Sequence, residues 1–558
     1  MTTTATRELR RRPSAATTIR ERCGEPASRR RRWAPLTLAI TAILALGGPG
    51  IAADIDGDGL DELGAFAIEV GGAARGPWLQ MFNGTGQRVS NFFLGKELRD
   101  IRIRRIDYDA DGRDEIVVLA MGAAGQPLLQ VYNGDGARLA SVEAAELGAR
   151  RLELFPVEAD GQPPMEIGVA YTRGPAAGTQ EDPLAPWPTG LAQVWARAPL
   201  APGGLTRGAF FEAIPAGFAD HAWRVVDVEG DGRQELIAGF SLPPAVLLGE
   251  TKSRGALARI WRLAGVALVD EITAAGEDFD GAQWLVGDLV ESSSGEELMV
   301  GLRRRLDGVG VMRVFELPSP TGTPPAGGAS PWLVARDTTP PAVSDLAWRA
   351  IRRDRPPQLP GEPPAADRHH ALVGFRLADG AWAYRVWEAV VADDSQVDDA
   401  PTPSRGRSAG AMEPSVDSTP QPGDGAPVVA EVDAGASPSV GGGTILGAEV
   451  TVNDWLVGEF DGNPANGDGI VVLFTRGDRS IGFQHWSQAG LDQLGSGTLF
   501  GPTFIEPRGL AIRAVQPGRD DLAVIARAVS AAPRLELWEV NGPGTRLLTR
   551  NVLGPNVR

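Results

Sequence analysis

The stretch that decides the fold is Asp54-Ile-Asp-Gly-Asp-Gly-Leu-Asp-Glu62, a loop with carboxylates at positions 1, 3, 5 and 9 and a glycine at position 6. It recurs as Asp107-Tyr-Asp-Ala-Asp-Gly-Arg-Asp-Glu115 and as Asp227-Val-Glu-Gly-Asp-Gly-Arg-Gln-Glu235. Carboxylates at this spacing repel one another unless a cation lies among them. Three copies of one acidic loop therefore predict a repeated cation site.

Calcium is the predicted cation, because it takes about six to eight oxygen ligands and acidic loops with a glycine at the sharp turn supply them. Gly59 is expected to adopt the left-handed conformation that a residue with a Cβ resists. The alternative is an acidic, solvated turn that binds no metal. The predicted ligands are side chains at positions 1, 3, 5 and 9 and a backbone carbonyl at position 7: Asp54, Asp56, Asp58, Leu60 and Glu62; Asp107, Asp109, Asp111, Arg113 and Glu115; Asp227, Glu229, Asp231, Arg233 and Glu235.

The residues that follow each loop indicate strands rather than helices. An EF-hand also begins Asp-x-Asp-x-Asp-Gly, but it closes with Glu at position 12 and continues into a helix. Here the closing acid is at position 9, and short apolar runs such as Ile116-Val-Val-Leu119 follow it. Runs of this kind predict β-strands. Each unit is therefore predicted to be a strand–calcium loop–strand motif.

An aromatic residue ends an alternating strand once in every unit of the chain, and an Asn-Gly hairpin turn follows in three units. Four antiparallel strands repeated eight times predict an all-β β-propeller with eight blades over residues 54–558, with seven blades as the alternative. Residues 392–446 are rich in Pro, Gly, Ser and Asp and are predicted to be a disordered insertion. The eight aromatic residues are Phe82, Tyr132, Trp195, Trp261, Phe315, Trp387, Trp486 and Trp538.

Three further units carry degenerate loops, at residues 158–166, 288–297 and 459–468. Each keeps some acidic residues at loop positions, so calcium binding there stays open. A plain strand connection is the favoured interpretation for all three.

The N-terminal 53 residues predict a secretory signal peptide with a long basic region. Residues 1–33 contain ten arginines against three glutamates, and the apolar run 34–46 is too short to span a membrane comfortably. Cleavage near Ala53 is expected, with a retained anchor as the alternative.

Loss of the seven net positive charges of residues 1–33 takes the formal net charge of the chain from −17 to −24. That charge argues against nucleic acid or an anionic membrane as partner.

The acidic loops resemble the FG-GAP/VCBS repeats of integrin α-subunits and of secreted bacterial proteins. The usual final acid of that motif is Asp, whereas the three clear loops here end in Glu62, Glu115 and Glu235. The resemblance implies a calcium-bearing propeller outside the cytoplasm, with structural loops on one face and ligands on the other.

No motif for catalysis stands out among the four histidines, and neither a nucleophile elbow nor a phosphate-binding loop is present. We therefore expect a monomeric, non-enzymatic binding, adhesion or scaffold module that is secreted, periplasmic or on the cell surface. Its expected partner is a protein or polysaccharide, and no stable membrane span is expected after cleavage. The alternative is a calcium-dependent polysaccharide lyase, because some lyases are similar in architecture.

Overall fold

The computed structural model describes most of the chain from Ile51 to Val552. Within that range it does not describe residues 70–75, 146–147, 174–188, 202, 217, 219, 229–230, 242–244, 248–249, 253–254, 276–278, 290–295, 318–331, 353–368, 388–438, 463–467, 489–491, 529–532 and 541–545.

Eight four-stranded antiparallel sheets form the structure, and each is built from one continuous segment of chain. Blade 1 contains β1 (Ile51–Ala53), β2 (Glu62–Glu69), β3 (Gly76–Phe82) and β4 (Arg88–Phe93). Blade 2 contains β5 (Arg99–Ile106), β6 (Glu115–Met121), β7 (Pro127–Tyr132) and β8 (Arg138–Glu143). Blade 3 contains β9 (Ala149–Val157), β10 (Glu166–Arg173), β11 (Thr189–Arg197) and β12 (Leu205–Ile214).

Blade 4 contains β13 (Asp220–Val226), β14 (Glu235–Ser241), β17 (Ala256–Arg262) and β18 (Ala267–Ala275). A small hairpin of β15 (Ala245–Leu247) and β16 (Glu250–Lys252) lies between its second and third strands. Blade 5 contains β19 (Phe279–Gly287), β20 (Glu297–Arg304), β21 (Gly310–Glu316) and β22 (Trp332–Thr338).

The last three blades repeat the same order. Blade 6 contains β23 (Ser344–Arg352), β24 (His369–Arg376), β25 (Trp382–Trp387) and β26 (Ser439–Leu446). Blade 7 contains β27 (Thr451–Gly458), β28 (Gly469–Thr475), β29 (Ile481–Trp486) and β30 (Gln493–Phe500). Blade 8 contains β31 (Phe504–Gln516), β32 (Arg519–Ala528), β33 (Arg534–Glu539) and β34 (Arg546–Val552).

The blades close into a ring, so the eight-bladed prediction is confirmed and the seven-bladed alternative is wrong. First strands of successive blades contact one another, as β5 does with β9 and β27 with β31, which places them next to the axis. Blade 8 contacts blade 1 through β31 and β2. The acidic loops, which follow the first strands, therefore lie on one face of the ring.

Eight apolar cores hold the ring together, one between each pair of neighbouring blades. The core between blades 4 and 5, for example, joins Ile237 to Trp284 and Val300. The core that closes the ring joins Leu63 and Ala65 of blade 1 to Ala523 and Leu535 of blade 8. Burial between blades, rather than strand exchange, therefore closes this propeller.

Tryptophans four residues before the loops pack on glycines of the preceding blade. A Cβ added to Gly239 would approach Trp284 to 2.5 Å, one added to Gly301 would approach Trp348 to 2.4 Å, and one added to Gly374 would approach Trp455 to 2.2 Å. These distances are shorter than any van der Waals contact. The glycines are therefore required so that the indole rings can lie against the neighbouring backbone.

Two predicted boundaries shift in the structure. Strand β1 consists of Ile51–Ala53, so the propeller begins three residues before the predicted boundary at Asp54. Strand β26 pairs with β25 and uses Ser439–Leu446, which the sequence assigned to the insertion 392–446. Its three consecutive glycines suggested a linker, but a strand at a blade edge needs only backbone pairing. Residues 388–438 lie outside the described part of the chain.

All regular elements of the described residues are strands. Accordingly, no helix in this part of the chain has the length and apolarity that a membrane span requires.

Candidate metal loops

The closing glutamates of the loops are buried and hold the loop backbone in place. Glu62 Oε2 accepts a hydrogen bond from Ile55 N–H at 3.1 Å, and Glu115 Oε2 accepts one from Tyr108 N–H at 2.9 Å. Glu166, Glu235 and Glu297 accept the equivalent bond from the second residue of their own loops. The glutamate therefore has a structural role in five units, whether or not a cation is bound.

The first aspartate of each clear loop also organises the backbone. Asp54 accepts from Gly57 N–H and Asp58 N–H through Oδ1 and from Gly59 N–H through Oδ2. Asp107 and Asp227 each accept from the N–H groups at positions 5 and 6 of their loops. The position-6 residues Gly59, Gly112 and Gly232 have φ of +83°, +86° and +83°, which confirms the predicted left-handed turn.

Two of the three clear loops bring acidic oxygens together. One carboxylate oxygen from each of Asp54, Asp56 and Asp58 lies within 4.8 Å of the others, and so do oxygens of Asp107, Asp109 and Glu115. The position-5 residues Asp58, Asp111 and Asp231 accept from the N–H at position 7 of their own loops. In the third loop, Glu229 lies outside the described residues.

The carbonyl ligands predicted at position 7 belong to Leu60, Arg113 and Arg233. Their N–H groups donate to the position-5 aspartates, whereas no hydrogen bond to their carbonyl oxygens comes from another described residue. The carbonyl oxygens are thus available to a cation.

Burial and mutual repulsion disfavour ionisation of the closing glutamates. Burial raises the pKa of Glu62 to about 7, and the charges of Asp56, Asp58 and Asp54 add to the increase. Burial and the aspartates of its loop likewise raise the pKa of Glu115 to about 7. Asp109 Oδ1 is buried without a hydrogen-bond partner among the described atoms. A bound cation would compensate each of these groups.

An internal arginine neutralises the degenerate loop of blade 7. Arg352 of blade 6 stands at the loop position that is acidic in blade 1, and its Nη2 lies 2.7 Å from Glu459 Oε2 and 3.0 Å from Asp468 Oδ1. The guanidinium therefore joins the first residue of this loop, Glu459, to Asp468, the residue that connects blade 7 with blade 6. In loop 288–297, residues 290–295 lie outside the described part. In loop 158–166, Asp160 accepts from Gln162 N–H, and Glu166 closes the loop.

The residue immediately before the closing position connects neighbouring blades, and the sequence analysis missed it. Among the described residues, six junctions share one bond: the N–H of the first loop residue donates to the side chain of this residue in the next blade, at 2.8–3.3 Å. At five of them the return bond joins backbone N–H to backbone C=O. The pairs are Asp54 with Asp114, Glu158 with Gln234, Asp227 with Glu296, Arg352 with Asp468, Glu459 with Asp520 and Arg513 with Asp61.

Comparison with known proteins assigns neither a family nor a function to the chain. No family model and no curated protein sequence matches the chain. Sqt1 of Saccharomyces cerevisiae is a similar solved structure, with 9% identity and a TM-score of 0.37 over 84% of this chain and 90% of that one. A putative dipeptidyl aminopeptidase IV from Bacteroides ovatus is 12% identical, with a TM-score of 0.39 over 91% of this chain and 61% of that one.

A fructofuranosidase from Schwanniomyces occidentalis is also similar, at 8% identity and a TM-score of 0.27 over 90% of this chain and 94% of that one. At such identities and TM-scores, the likeness gives no support to a shared activity.

Proposed function

We propose that this protein is a calcium-stabilised β-propeller that is exported and acts as a non-enzymatic binding or scaffold module. The observation that carries the calcium assignment is the second loop. There, oxygens of Asp107, Asp109 and Glu115 converge within 4.8 Å, and the buried Asp109 Oδ1 has no other partner among the described residues. A hard divalent cation is the group that such oxygens accept best. The resemblance to FG-GAP/VCBS repeats supports the same assignment.

Export is supported by the sequence. The N-terminal basic and apolar segments are typical of a signal peptide, and the only cysteine, Cys23, precedes the apolar run. A propeller without disulfides gains stability outside the cell from calcium, which is abundant there relative to the affinities of such sites, about 10⁻⁴–10⁻³ M. Secretion, the periplasm and the cell surface all satisfy this condition.

The separation between a cavity and the acidic loops favours a binding role over the lyase alternative. A cavity of about 500 Å³ lies near the beginnings of β23 and β27, where Asp345 and Thr451 contribute to its wall. The acidic loops follow the ends of the same strands. The cavity extends along β27 as far as Trp455, and the four-residue step from Trp455 to Glu459 spans roughly 13 Å when extended. A calcium ion in the loops is therefore too distant to activate a substrate in the cavity.

Calcium dependence of thermal unfolding tests the proposal. After exhaustive chelation, addition of millimolar Ca²⁺ is expected to raise the Tm, and Asp109→Asn should reduce that increase. Asp135→Asn is the matched control, because Asp135 is an exposed aspartate of a hairpin turn. An identical Tm with Ca²⁺ and with chelator would show that the loops are structural turns without metal.

Binding is tested separately on a panel of immobilised polysaccharides and on candidate proteins of the extracellular space. Retention of an intact polysaccharide supports a binding module. Release of unsaturated products would instead establish the lyase.

A further inference from the structure

We propose that the cavity between blades 6, 7 and 8 binds a sugar acid, a small molecule with several hydroxyl groups and one carboxylate, through Arg349, Arg376 and Arg508. Such a ligand refines the proposed binding role, on which its assignment rests, and it requires no calcium in the acidic loops. Three guanidiniums, several oxygen acceptors and one aromatic wall surround this single space.

The cavity lies on the face of the ring opposite the acidic loops. Asp345 and Thr451 are at the beginnings of β23 and β27, and Arg376 and Trp382 are at the two ends of the turn between β24 and β25. Arg508 belongs to β31, so three successive blades share the cavity wall. The volume of about 500 Å³ is within the range of small-molecule sites. A sugar-sized ligand therefore has room here.

Hydrogen bonds to the wall fix the guanidinium of Arg349. Its Nε donates to the carbonyl of Trp455 in the next blade at 3.2 Å, and its Nη1 donates to the carbonyl of Trp348 at 2.8 Å. Its Nη2 is 3.6 Å from Asp454 Oδ1, a distance longer than a hydrogen bond, and 37% of the side chain is exposed. Nη2 therefore keeps N–H groups that can donate to a ligand in the cavity.

Arg376 and Arg508 line the same cavity, and the described residues leave most of their N–H groups unused. Arg376 Nε donates to the carbonyl of Gly380 at 3.2 Å, whereas the Arg508 side chain forms no hydrogen bond or ion pair within the described part of the chain. Burial raises the pKa of Asp454, and the charges of Arg349 and Arg508 oppose the increase, so this carboxylate balances them in part. Guanidiniums around one space attract a carboxylate and bind it in a bidentate manner.

The charges of the wall favour a ligand with one negative charge. Three arginines and two aspartates, Asp345 and Asp454, line the cavity, which leaves one net positive charge. A sugar acid with one carboxylate neutralises that charge. A ligand with several oxyanions would place excess negative charge beside the two aspartates, where it is repelled.

Oxygen acceptors and an indole ring suit the rest of a sugar acid. Asn453 Nδ2 donates to Thr475 Oγ1 at 2.9 Å, which fixes the amide, and the two aspartates add further acceptors for hydroxyl groups. Trp382 is 5% exposed and donates from Nε1 to the carbonyl of Val450 at 3.1 Å. Its ring is therefore held as a rigid apolar part of the wall, against which the C–H face of a sugar can pack.

Isothermal titration of the whole chain at low ionic strength tests the inference with D-glucuronate and D-galacturonate, at least one of which is expected to bind. D-glucose lacks the carboxylate, and propionate lacks the hydroxyl groups. Each of these two controls should bind about tenfold or more weakly than the sugar acid, because each loses one set of hydrogen bonds.

The double variant Arg376→Gln/Arg508→Gln should weaken binding of the sugar acid by about tenfold or more, because charge-assisted hydrogen bonds to its carboxylate are lost. The single variant Arg508→Gln should also weaken binding but leave the unfolding midpoint unchanged, since this side chain forms no hydrogen bond to a described residue. Arg138→Gln, which removes an exposed arginine of an outer strand in blade 2, is the matched control and should bind as wild type does.

Any of these results overturns the inference: no binding of either sugar acid, equal binding of glucose or propionate, or equal binding by wild type and the folded Arg508→Gln variant. The panel of immobilised polysaccharides reports on the proposed function separately. A polysaccharide retained equally by wild type and by the double variant supports the binding module but overturns this cavity as its site. Binding of a sugar acid without retention of any polysaccharide supports the cavity even if the proposed partner is wrong.

Discussion

Asp61 and Arg513, which are 452 residues apart in sequence, exchange two hydrogen bonds where the last blade meets the first. Arg513 N–H donates to Asp61 Oδ2 at 3.1 Å, and Asp61 N–H donates to the Arg513 carbonyl at 2.7 Å. The Asp61 carboxylate also forms an ion pair with Arg105 of blade 2 at 2.5 Å. One aspartate thus links three blades at the closure of the ring.

Replacement of Asp61 by alanine is expected to lower the free energy of unfolding by about 1–3 kcal/mol, because a backbone donor at the closure loses its partner. Urea unfolding of the whole chain measures the change. Asp61→Asn retains an acceptor and should lose less. Asp135→Ala, at an exposed turn, is the control. If Asp61→Ala matched Asp135→Ala, the closure bond would contribute nothing measurable.

Arg352 is expected to act as an internal cation in blade 7. Its replacement by glutamine removes the guanidinium from Glu459 and Asp468, although Asp468 still accepts the backbone N–H of residue 352. Loss of one member of a largely buried ion pair costs about 3–5 kcal/mol. The measurement is chemical denaturation of Arg352→Gln beside Arg138→Gln. Millimolar Ca²⁺ should stabilise the Arg352→Gln variant more than the wild type, because the vacated acids can then take a metal. Equal stabilisation of the variant and the wild type by Ca²⁺ would contradict the interpretation that the Arg352 guanidinium takes the place of a metal ion.

The calcium-free protein is expected to lose stability as the pH rises from about 4.5 to 7. The pKa of Glu62 and of Glu115 is about 7 in the folded chain, against 4.5 for an ordinary glutamate. Between these values the folded state binds protons that the unfolded state has released, so deprotonation favours unfolding. Unfolding midpoints in chelator across this range measure the effect. The double variant Glu62→Gln/Glu115→Gln should flatten the dependence of the unfolding midpoint on pH. A pH dependence unchanged in that variant would show that these two glutamates do not cause it.

Trp455→Ala is expected to destabilise the protein by about 3–5 kcal/mol, because the indole fills the junction between blades 6 and 7 against Gly374. Differential scanning calorimetry measures the loss. Phe210→Ala removes an aromatic ring that is 44% exposed, and it should have little effect. A comparable loss in the two variants would contradict a special role for the tryptophan–glycine contact.

The mature N-terminus of an exported chain is expected at or before Ile51. Cleavage after Ala53 would remove β1, in which Ala53 is fully buried and Ile51 nearly so. A chain that begins at Asp54 should be less stable than one that begins at Gly50 by about 2 kcal/mol or more, from the isoleucine alone. Mass spectrometry of the secreted protein locates the cleavage site. A mature chain that starts at Asp54 with undiminished stability would contradict the role of β1.

The sequence by itself determined the blade, because a blade is a local object. Asp54–Glu62 and its two close copies, the aromatic strand ends and the Asn-Gly turns all recur within about one unit length, and these patterns predicted eight antiparallel sheets. The turn at Gly59 also followed from local backbone sterics. The structure confirms these features.

The tertiary structure alone decided which groups meet between blades. The pairing of Asp61 with Arg513 and the ion pair of Arg352 with Glu459 both join residues more than 100 positions apart. Sequence spacing carries no information about such distances until the ring closes. Electrostatics and hydrogen bonding depend on those distances, so the chemistry of the junctions emerges only in the folded ring.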